Sequence, residues 1–192
     1  MLKNFAARPL GRQIAAASLA VSLGVSLPAA ALAKNPMVGG APMYASKTIV
    51  ENAINSKDHT TLVAAVKAAG LVETLSGPGP FTVFAPTNAA FAELPPGTVE
   101  TLVQPQNKGT LTSILTYHVV RGTLTGKDLM AMAKKSGGQT QLKSVQGTPL
   151  TVQTKGKKVL VTDAKGNTAV VTVANVMQSN GVIHVIDGVL QP

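Results

Sequence analysis

Three histidines, His59, His118 and His184, are the side chains best suited to acid–base chemistry near neutral pH. His118 follows Tyr117 in an apolar run, and His184 alternates with apolar residues such as Ile186 in the last strand. We expect both to be core histidines hydrogen-bonded to the backbone, because buried polar side chains nearly always have partners. A metal site would need two or three such side chains to converge, and their spacing does not indicate this.

Other catalytic motifs have little support in the sequence. The chain contains no cysteine, which excludes disulfides and thiolate chemistry. No serine lies in a Gly-x-Ser-x-Gly turn, so a hydrolase could arise only from residues that meet in the folded chain. The prolines of the turn at residues 76–80 remove the backbone donors that a phosphate-binding loop requires. We therefore predict no catalytic, cofactor-binding or metal-binding residue and no enzymatic activity.

The elements that would position these histidines end in a strongly apolar segment, residues 180–192. Its β-branched residues, bounded by Asn-Gly and Gly, predict a strand that is apolar on both faces and buried centrally in a sheet. Burying each aliphatic side chain contributes roughly 1.5–3 kcal/mol, so this strand should dominate the stability of the fold.

Upstream, helical patterns alternate with short strands. The residues that could cap helices are Thr48 (with Glu51), Asp58 or Thr60, Thr87 or Asn88, Thr110, and Thr125 (with Asp128). Strands are predicted at residues 81–84 and 117–120, and a run of antiparallel hairpins from residue 143 onward. Helices followed by a meander predict an α+β domain, with helices packed against a sheet or sandwich.

The N-terminal residues have the features of a cleavable signal peptide. Residues 1–33 combine a basic start, an apolar core at 14–27 and Ala31-Leu32-Ala33, a small-x-small cleavage site. A retained membrane anchor is the alternative, but the apolar run is short for a membrane span. We predict a mature protein that is secreted or periplasmic, with a flexible leader at 34–47, a single domain at 48–192 and no transmembrane segment after cleavage.

The charge balance is basic without indicating nucleic-acid binding. The formal charge is +9, and loss of residues 1–33 leaves fourteen basic and eight acidic residues, or +6. The lysines are scattered apart from small groups at 134–135 and 155–158, and only two tyrosines could stack on bases. Acidic glycans or anionic lipid headgroups are more natural partners for an exported chain of this charge.

Three motifs resemble those of the fasciclin family. They are GPFTVFAPTNAAF at 79–91, YHVV at 117–120 and NGVIHVID at 180–187, and the resemblance extends over about residues 48–192. It implies a wedge-shaped β-sandwich with a helical layer, used outside the cell in adhesion or surface interaction rather than in catalysis. The chain departs from many members of the family at Asn88, where they have aspartate.

The resemblance also implies where a partner would bind. In animal matrix members, integrin contact involves a Tyr-His pair, which corresponds here to Tyr117 and His118, and a stretch before the last strand, which corresponds to Asn175, Val176 and Met177. Asn175 replaces the aspartate of the family, and the chain has no Arg-Gly-Asp. Integrin recognition depends on a carboxylate, so we do not extend that function to this chain.

Three functional classes follow from the sequence. The first is an exported, non-catalytic interaction module that binds a cell-surface or matrix component, either a protein or an acidic glycan. The alternative is a carrier of a hydrophobic small molecule such as a carotenoid or lipid, with Met130, Met132 and Met177 lining an adaptable apolar site. An enzyme is the third class, and no motif supports it.

Overall fold

The computed structural model describes residues 35–192, and the signal peptide predicted at 1–33 lies outside these residues. The described helices are α1 Ile49–Ala53, α2 Thr60–Ala69, α3 Val72–Ser76, α4 Asn88–Ala92, α5 Thr98–Leu102, α6 Lys108–Tyr117 and α7 Gly126–Lys135. The described strands are β1 Met37–Val38, β2 Ala41–Pro42, β3 Phe81–Pro86, β4 Val119–Arg121, β5 Gln139–Lys143, β6 Pro149–Lys155, β7 Lys158–Thr162, β8 Thr168–Gln178 and β9 Gly181–Ile186. This composition confirms the predicted α+β class.

Strands β3 to β9 form one mixed sheet in the order β4-β3-β9-β8-β7-β6-β5. Strand β9 lies between β3, to which it is parallel, and β8, to which it is antiparallel. The long strand β8 has register shifts on both sides of Val173, which allow it to bend and to join two halves of the sheet. A bridge between Val120 and Ser144 connects β4 to the chain just after β5, so the sheet folds back on itself.

Strand β9 is buried along its whole length, as predicted. Ile183 and Val185 belong to an apolar core shared with the helices, whereas Ile186 belongs to a second core inside the folded sheet. Strand β3 alternates in the same way, with Val83 in the first core and Phe84 in the second. The central pair β3–β9 therefore separates and supports both cores.

Two capping boxes position α1 and α7 as the sequence predicts. The Thr48 hydroxyl accepts from the Glu51 amide at the start of α1, and the Thr125 hydroxyl accepts from the Asp128 amide at the start of α7. In return, each carboxylate accepts from the backbone amide of its threonine. Helix α2 ends at Gly70 in the left-handed region (φ 73°), a conformation that glycine adopts without steric cost.

Three local predictions are wrong. Neither Asp58 nor Thr60 caps α2; instead the Asn88 Oδ1 accepts from the Thr61 amide at 3.0 Å, a contact between distant parts of the chain. Thr110 does not cap α6, which begins earlier, at Lys108. Tyr117 is the last residue of α6 rather than the first residue of a strand. The His118 amide still donates to carbonyls of the last turn of α6, and β4 begins only at Val119.

The segment predicted as a flexible leader, 34–47, is folded against the domain where the structure describes it. Strands β1 and β2 pair across Gly39 and Gly40, both at positive φ, so these glycines form a tight turn rather than a flexible stretch. Val38 and Met43 are buried in the core shared with the helices. Their burial is the physical reason why this part of the chain packs on the domain.

Within residues 35–192, no helix combines the length and the apolar character that crossing a bilayer requires.

The close approach of β3 and β9 is expected to be sensitive to a single methyl group. A Cβ added at Gly181 would overlap the Phe81 carbonyl oxygen, so Gly181→Ala should push the central strands apart and lower the free energy of unfolding by roughly 1–3 kcal/mol. The measurement is urea unfolding monitored by circular dichroism.

Gly109→Ala is the matched control, because Gly109 lies in helix α6 with open space around it and alanine is the better helix former. It should leave stability unchanged or raise it by up to about 1 kcal/mol. Equal unfolding midpoints for the two variants would contradict the role of Gly181.

Candidate functional site

His118 follows helix α6 and is 3% exposed. Its Nδ1–H donates to the Ile114 carbonyl at 2.9 Å, and its Nε2 accepts from the Leu190 amide at 3.0 Å. Burial lowers the pKa of His118 to about 4, against smaller opposite effects of the Ile114 carbonyl and the Asp163 carboxylate. The ring is therefore neutral at pH 7 and ties the segment after β9 to α6, which confirms the prediction of a core histidine.

Tyr117, the other member of the predicted Tyr-His contact, is also inside the domain. Its hydroxyl donates to the Pro149 carbonyl and accepts from the Ala164 amide, both at 3.0 Å. Burial raises the pKa of Tyr117, which keeps the hydroxyl protonated at neutral pH. Neither Tyr117 nor His118 reaches the surface, so in this conformation neither side chain is available to a partner.

His184 occupies the middle of β9 and has no exposed surface. Its Nε2–H donates to the Leu124 carbonyl at 2.8 Å, and its Nδ1 accepts from the Asn175 amide at 3.4 Å. The ring stacks on Phe84, with the ring centroids 5.7 Å apart. Burial lowers the pKa of His184, so this side chain too is neutral and structural, as predicted.

His59 ends a 3-10 turn just before α2 and is 3% exposed. Its Nδ1 lies 2.8 Å from the Ser56 hydroxyl, whereas no group among residues 35–192 meets hydrogen-bond geometry at its Nε2. Burial lowers the pKa of His59, although the nearby Ala85 backbone and Asp58 act in the opposite direction. The ring is therefore largely neutral at pH 7 and is enclosed by the domain.

The second predicted contact stretch, Asn175 to Met177, has mixed exposure. Asn175 has φ 62°, in the left-handed region, and its Oδ1 accepts from the Gly126 amide at 2.7 Å, which holds the start of α7. Val176 is fully buried, whereas Met177 is 41% exposed. Of the five predicted contact residues, Met177 is therefore the one whose side chain is exposed and is not hydrogen-bonded to the backbone.

The apolar cavities of the described residues lie apart from a larger open groove. Two cavities with volumes of about 40 and 30 Å³ lie side by side under α1 and α2, and share Ile49, Leu62 and Val83 in their walls. The groove has a volume of about 580 Å³ and lies where β4 approaches β5, with Arg121 and Lys143 among its lining residues. Its volume falls within the range of about 300–1,000 Å³ that is typical of small-molecule sites.

The structure does not bring together the three methionines predicted to line a carrier site. Met132 lines the groove beside β4 and β5. Met130 is partly buried against the core inside the folded sheet, and Met177 lies on β8. A site in the groove would therefore use Met132, which packs with Met130 against the same core, whereas Met177 lies elsewhere.

No group of three histidine, aspartate or glutamate side chains is arranged to hold a metal ion in the part of the chain that the structure describes. The three histidines instead make separate hydrogen bonds.

With this geometry established, comparison with known proteins identifies the family. The sequence matches the Fasciclin domain over residues 57–192. The chain belongs to the fasciclin family. Protein sll1483 from Synechocystis sp. (strain ATCC 27184 / PCC 6803 / Kazusa) is similar to this fasciclin chain, with 51% identity over 159 residues that cover 83% of this chain and 81% of that protein.

Two further comparisons connect this fasciclin chain to animal proteins. Transforming growth factor-beta-induced protein ig-h3 from Sus scrofa is 42% identical over 131 residues, which cover 68% of this chain but 17% of that longer protein. The solved structure of a FAS1 domain pair from the insect cell adhesion molecule Fasciclin I matches with a TM-score of 0.68 at 20% identity, covering 76% of this chain and 51% of that one. That likeness shows the fold.

The sequence did not predict the most connected polar side chain at the start of β9, that of Asn180. Its Oδ1 accepts from the Ile49 amide at 3.0 Å, and its Nδ2 donates to the Leu75 and Gly77 carbonyls at 2.8 and 3.1 Å. Asn180 thus connects α1 and α3 to the start of β9. The sequence feature that could have indicated this role is the Asn-Gly pair before a buried strand. Asparagine in such a pair usually stabilises only the local turn, so the pair alone did not predict the long-range bonds.

The neutral state of His118 predicts a loss of stability in mild acid. In the unfolded chain, His118 takes up a proton as the pH falls below 6.5, whereas in the folded chain it does so only near pH 4. The stability contributed by the neutral ring is therefore fully present above pH 6.5 and is lost as the pH falls to 4, by roughly 3 kcal/mol. Urea unfolding at pH 7.5, 6.0, 5.0 and 4.2 measures this change.

His118→Ala isolates the contribution of this ring. At pH 7.5 the variant should be less stable by roughly 1–3 kcal/mol, because the Leu190 amide loses its acceptor and the core loses packing. Its stability should then fall less steeply than that of the wild type between pH 6.5 and 4. If the free energies of unfolding of the two proteins fell in parallel with pH, His118 would not be the titrating group. As an internal control, the free energy of unfolding of each protein should be the same at pH 7.5 and 8.5.

Proposed function

We propose that this fasciclin domain is an exported, non-catalytic interaction module that mediates cell adhesion or association with a cell-surface or matrix component. The observation that carries the proposal is the fasciclin match over residues 57–192 together with the fold shared with Fasciclin I, a cell adhesion molecule. The internal use of the histidines supports a non-catalytic role, because buried neutral rings bound to backbone groups are poorly placed to exchange protons with a substrate.

Export rests on the sequence of the N-terminal segment. The basic start, apolar core and Ala31-Leu32-Ala33 of residues 1–33 fit a cleavable signal peptide, which would deliver the mature chain to the periplasm or the medium. The absence of cysteine is compatible with an oxidising compartment, since the domain needs no disulfide. A partner in that compartment is a protein or an acidic glycan of the cell surface or matrix.

A partner contact at Met177 can be tested on intact cells. Fluorescently labelled protein, expressed from the full sequence and purified after processing, should bind cells of the source organism saturably in flow cytometry. Met177→Gln should weaken this binding about fivefold, because an exposed methionine buried in an interface contributes roughly 1 kcal/mol.

Ile54→Gln is the matched control, since Ile54 is 52% exposed and follows α1 rather than lying on β8. It should leave binding unchanged. Absence of saturable binding would contradict the adhesion proposal, and equal weakening by both variants would contradict the contact at Met177.

The groove between β4 and β5 favours a carrier function as a second candidate. Leu124 and Met132 contribute apolar surface, and Arg121 and Lys143 contribute positive charge that could pair with an acidic head. A lipid with an anionic head fits this groove better than it fits the cavities under α1 and α2. Each of those cavities has room for about one or two water molecules and is too small for a lipid.

Native mass spectrometry of the protein purified gently from the source organism tests export and carriage together. The expected mass is that of residues 34–192, because cleavage after Ala33 removes the signal peptide. An added mass of defined stoichiometry would favour the carrier, and its loss in Met132→Lys would assign it to the groove. A bare mass would favour the interaction module, and a mass that retains residues 1–33 would contradict cleavage.

A further inference from the structure

The excess positive charge of the described chain lies in its second part. Residues 118–192 contain nine lysine or arginine residues and three acidic residues, whereas residues 35–117 contain four and five. The net charges are therefore +6 and −1. The surface formed by α7 and β4–β9 is the basic part of the described molecule.

The three carboxylates of this part are engaged by other groups. Asp128 accepts from Thr125 in the capping box of α7, and Asp187 accepts from the Val170 amide at 2.6 Å. Asp163 accepts from the backbone amides of residues 165, 167 and 191 and from the side chain of residue 167. These bonds hold the carboxylates against the backbone, which leaves the exposed lysines available to an external anion.

Folding joins two lysine groups that lie apart in the sequence. The backbone amide of Thr154 in β6 donates to the Gly138 carbonyl just after α7 at 3.3 Å, which places the end of that helix beside the turn between β6 and β7. Five exposed lysines lie on this helix end and this turn, and we call them the lysine corner: Lys134, Lys135, Lys155, Lys157 and Lys158.

A largely polar face of the sheet adjoins the lysine corner. Alternate apolar side chains of β5, β6 and β7 are buried in the core inside the folded sheet, so the side chains between them lie on the outer face. Leu160, which pairs with Gln153, is a partly buried apolar side chain on this outer face. Strand pairing aligns Gln139 with Gln153, Gln141 with Thr151, and Thr151 with Thr162. These amides and hydroxyls form rows that begin beside the lysine corner.

We propose that the lysine corner and this polar face bind an acidic polysaccharide. The inference rests on the proposed interaction function and names the partner class. A polysaccharide bearing carboxylate or sulfate groups offers repeated negative charges for the lysines, and its hydroxyls match the amide and hydroxyl groups of the face. The ammonium groups act as point charges, which suits a flexible chain of anions.

The composition of this surface favours a polysaccharide over a membrane or a nucleic acid. The large apolar side chains that are exposed among the described residues, Met37, Tyr44, Ile54 and Met177, lie outside it. Its outward Leu160 is half-buried, so the surface has no exposed large apolar side chain of the kind that anchors a protein in a membrane. Neither the lysine corner nor strands β5, β6 and β7 carry an aromatic side chain on which bases could stack.

The test compares two variants that remove the same charge. The corner variant changes Lys135, Lys155, Lys157 and Lys158 to Gln, and the control variant changes four exposed lysines of the other part to Gln: Lys47, Lys57, Lys67 and Lys108. Both are expressed from the full sequence and are checked by thermal unfolding. Binding to immobilised alginate, dextran sulfate and neutral dextran is measured in 50–300 mM NaCl. Over this range the Debye screening length falls from about 14 to about 6 Å.

The wild type should bind the acidic polysaccharides and not neutral dextran, with affinity falling as salt rises. The corner variant should bind about tenfold or more weakly, and the control variant within about twofold of the wild type. Gln141→Ala with Gln153→Ala, which leaves the charge unchanged, should weaken alginate binding about threefold. Equal losses in the corner and control variants would overturn the proposal, because net charge alone would then explain binding.

Two further probes test the partner class. Vesicles containing phosphatidylglycerol and a DNA duplex should bind more weakly than alginate, and tighter binding of either that is lost in the corner variant would overturn the polysaccharide assignment. If no acidic polysaccharide binds while the protein still binds intact cells, this inference fails and the proposed function stands. If neither binds, both fail.

Discussion

Strand β9 has no face in contact with solvent, and the rest of the domain is arranged to hold it in place. It pairs with β3 along its whole length, and glycine at position 181 allows the two backbones to approach closely. Asn180 ties its beginning to α1 and α3, and His118 binds the Leu190 amide after its end. Because both apolar cores share this strand, loosening it would expose them together.

The histidines illustrate how this burial decides what the polar residues can do. A buried backbone group needs a partner, and a neutral imidazole supplies one donor and one acceptor. His118 and His184 use opposite tautomers, because the Leu190 amide requires an acceptor at Nε2 in the first and the Leu124 carbonyl requires a donor there in the second. Both rings make these backbone hydrogen bonds only while neutral, so the same burial that fixes the fold makes its stability sensitive to acid.

The features that depend on neighbouring residues could be predicted from the sequence. The capping boxes at Thr48 and Thr125 span three residues, and the burial of β9 is visible in its run of apolar side chains. Prediction failed where distant residues decide the structure. The cap supplied by Asn88 to α2 crosses 27 positions, and residues 35–47 pack on the domain because it offers a site for their apolar side chains. The proposed binding surface was harder to predict for the same reason. The lysine corner forms only because the end of α7 lies beside β6, and neither lysine group alone indicates that position.

This division between interior and surface bears on how a fasciclin fold can serve different partners. The polar groups that the fold depends on are buried and bound to backbone, so exposed side chains on β5, β6 and β7 can change without disturbing them. Because the residues that hold the fold together are separate from those on the surface, two chains can share the fold at 20% identity, as this chain and Fasciclin I do. The recognition surface proposed for this chain, the lysine corner with the polar face beside it, belongs to such an outer part, in a half of the molecule where Asp163 and Asp187 accept from backbone amides.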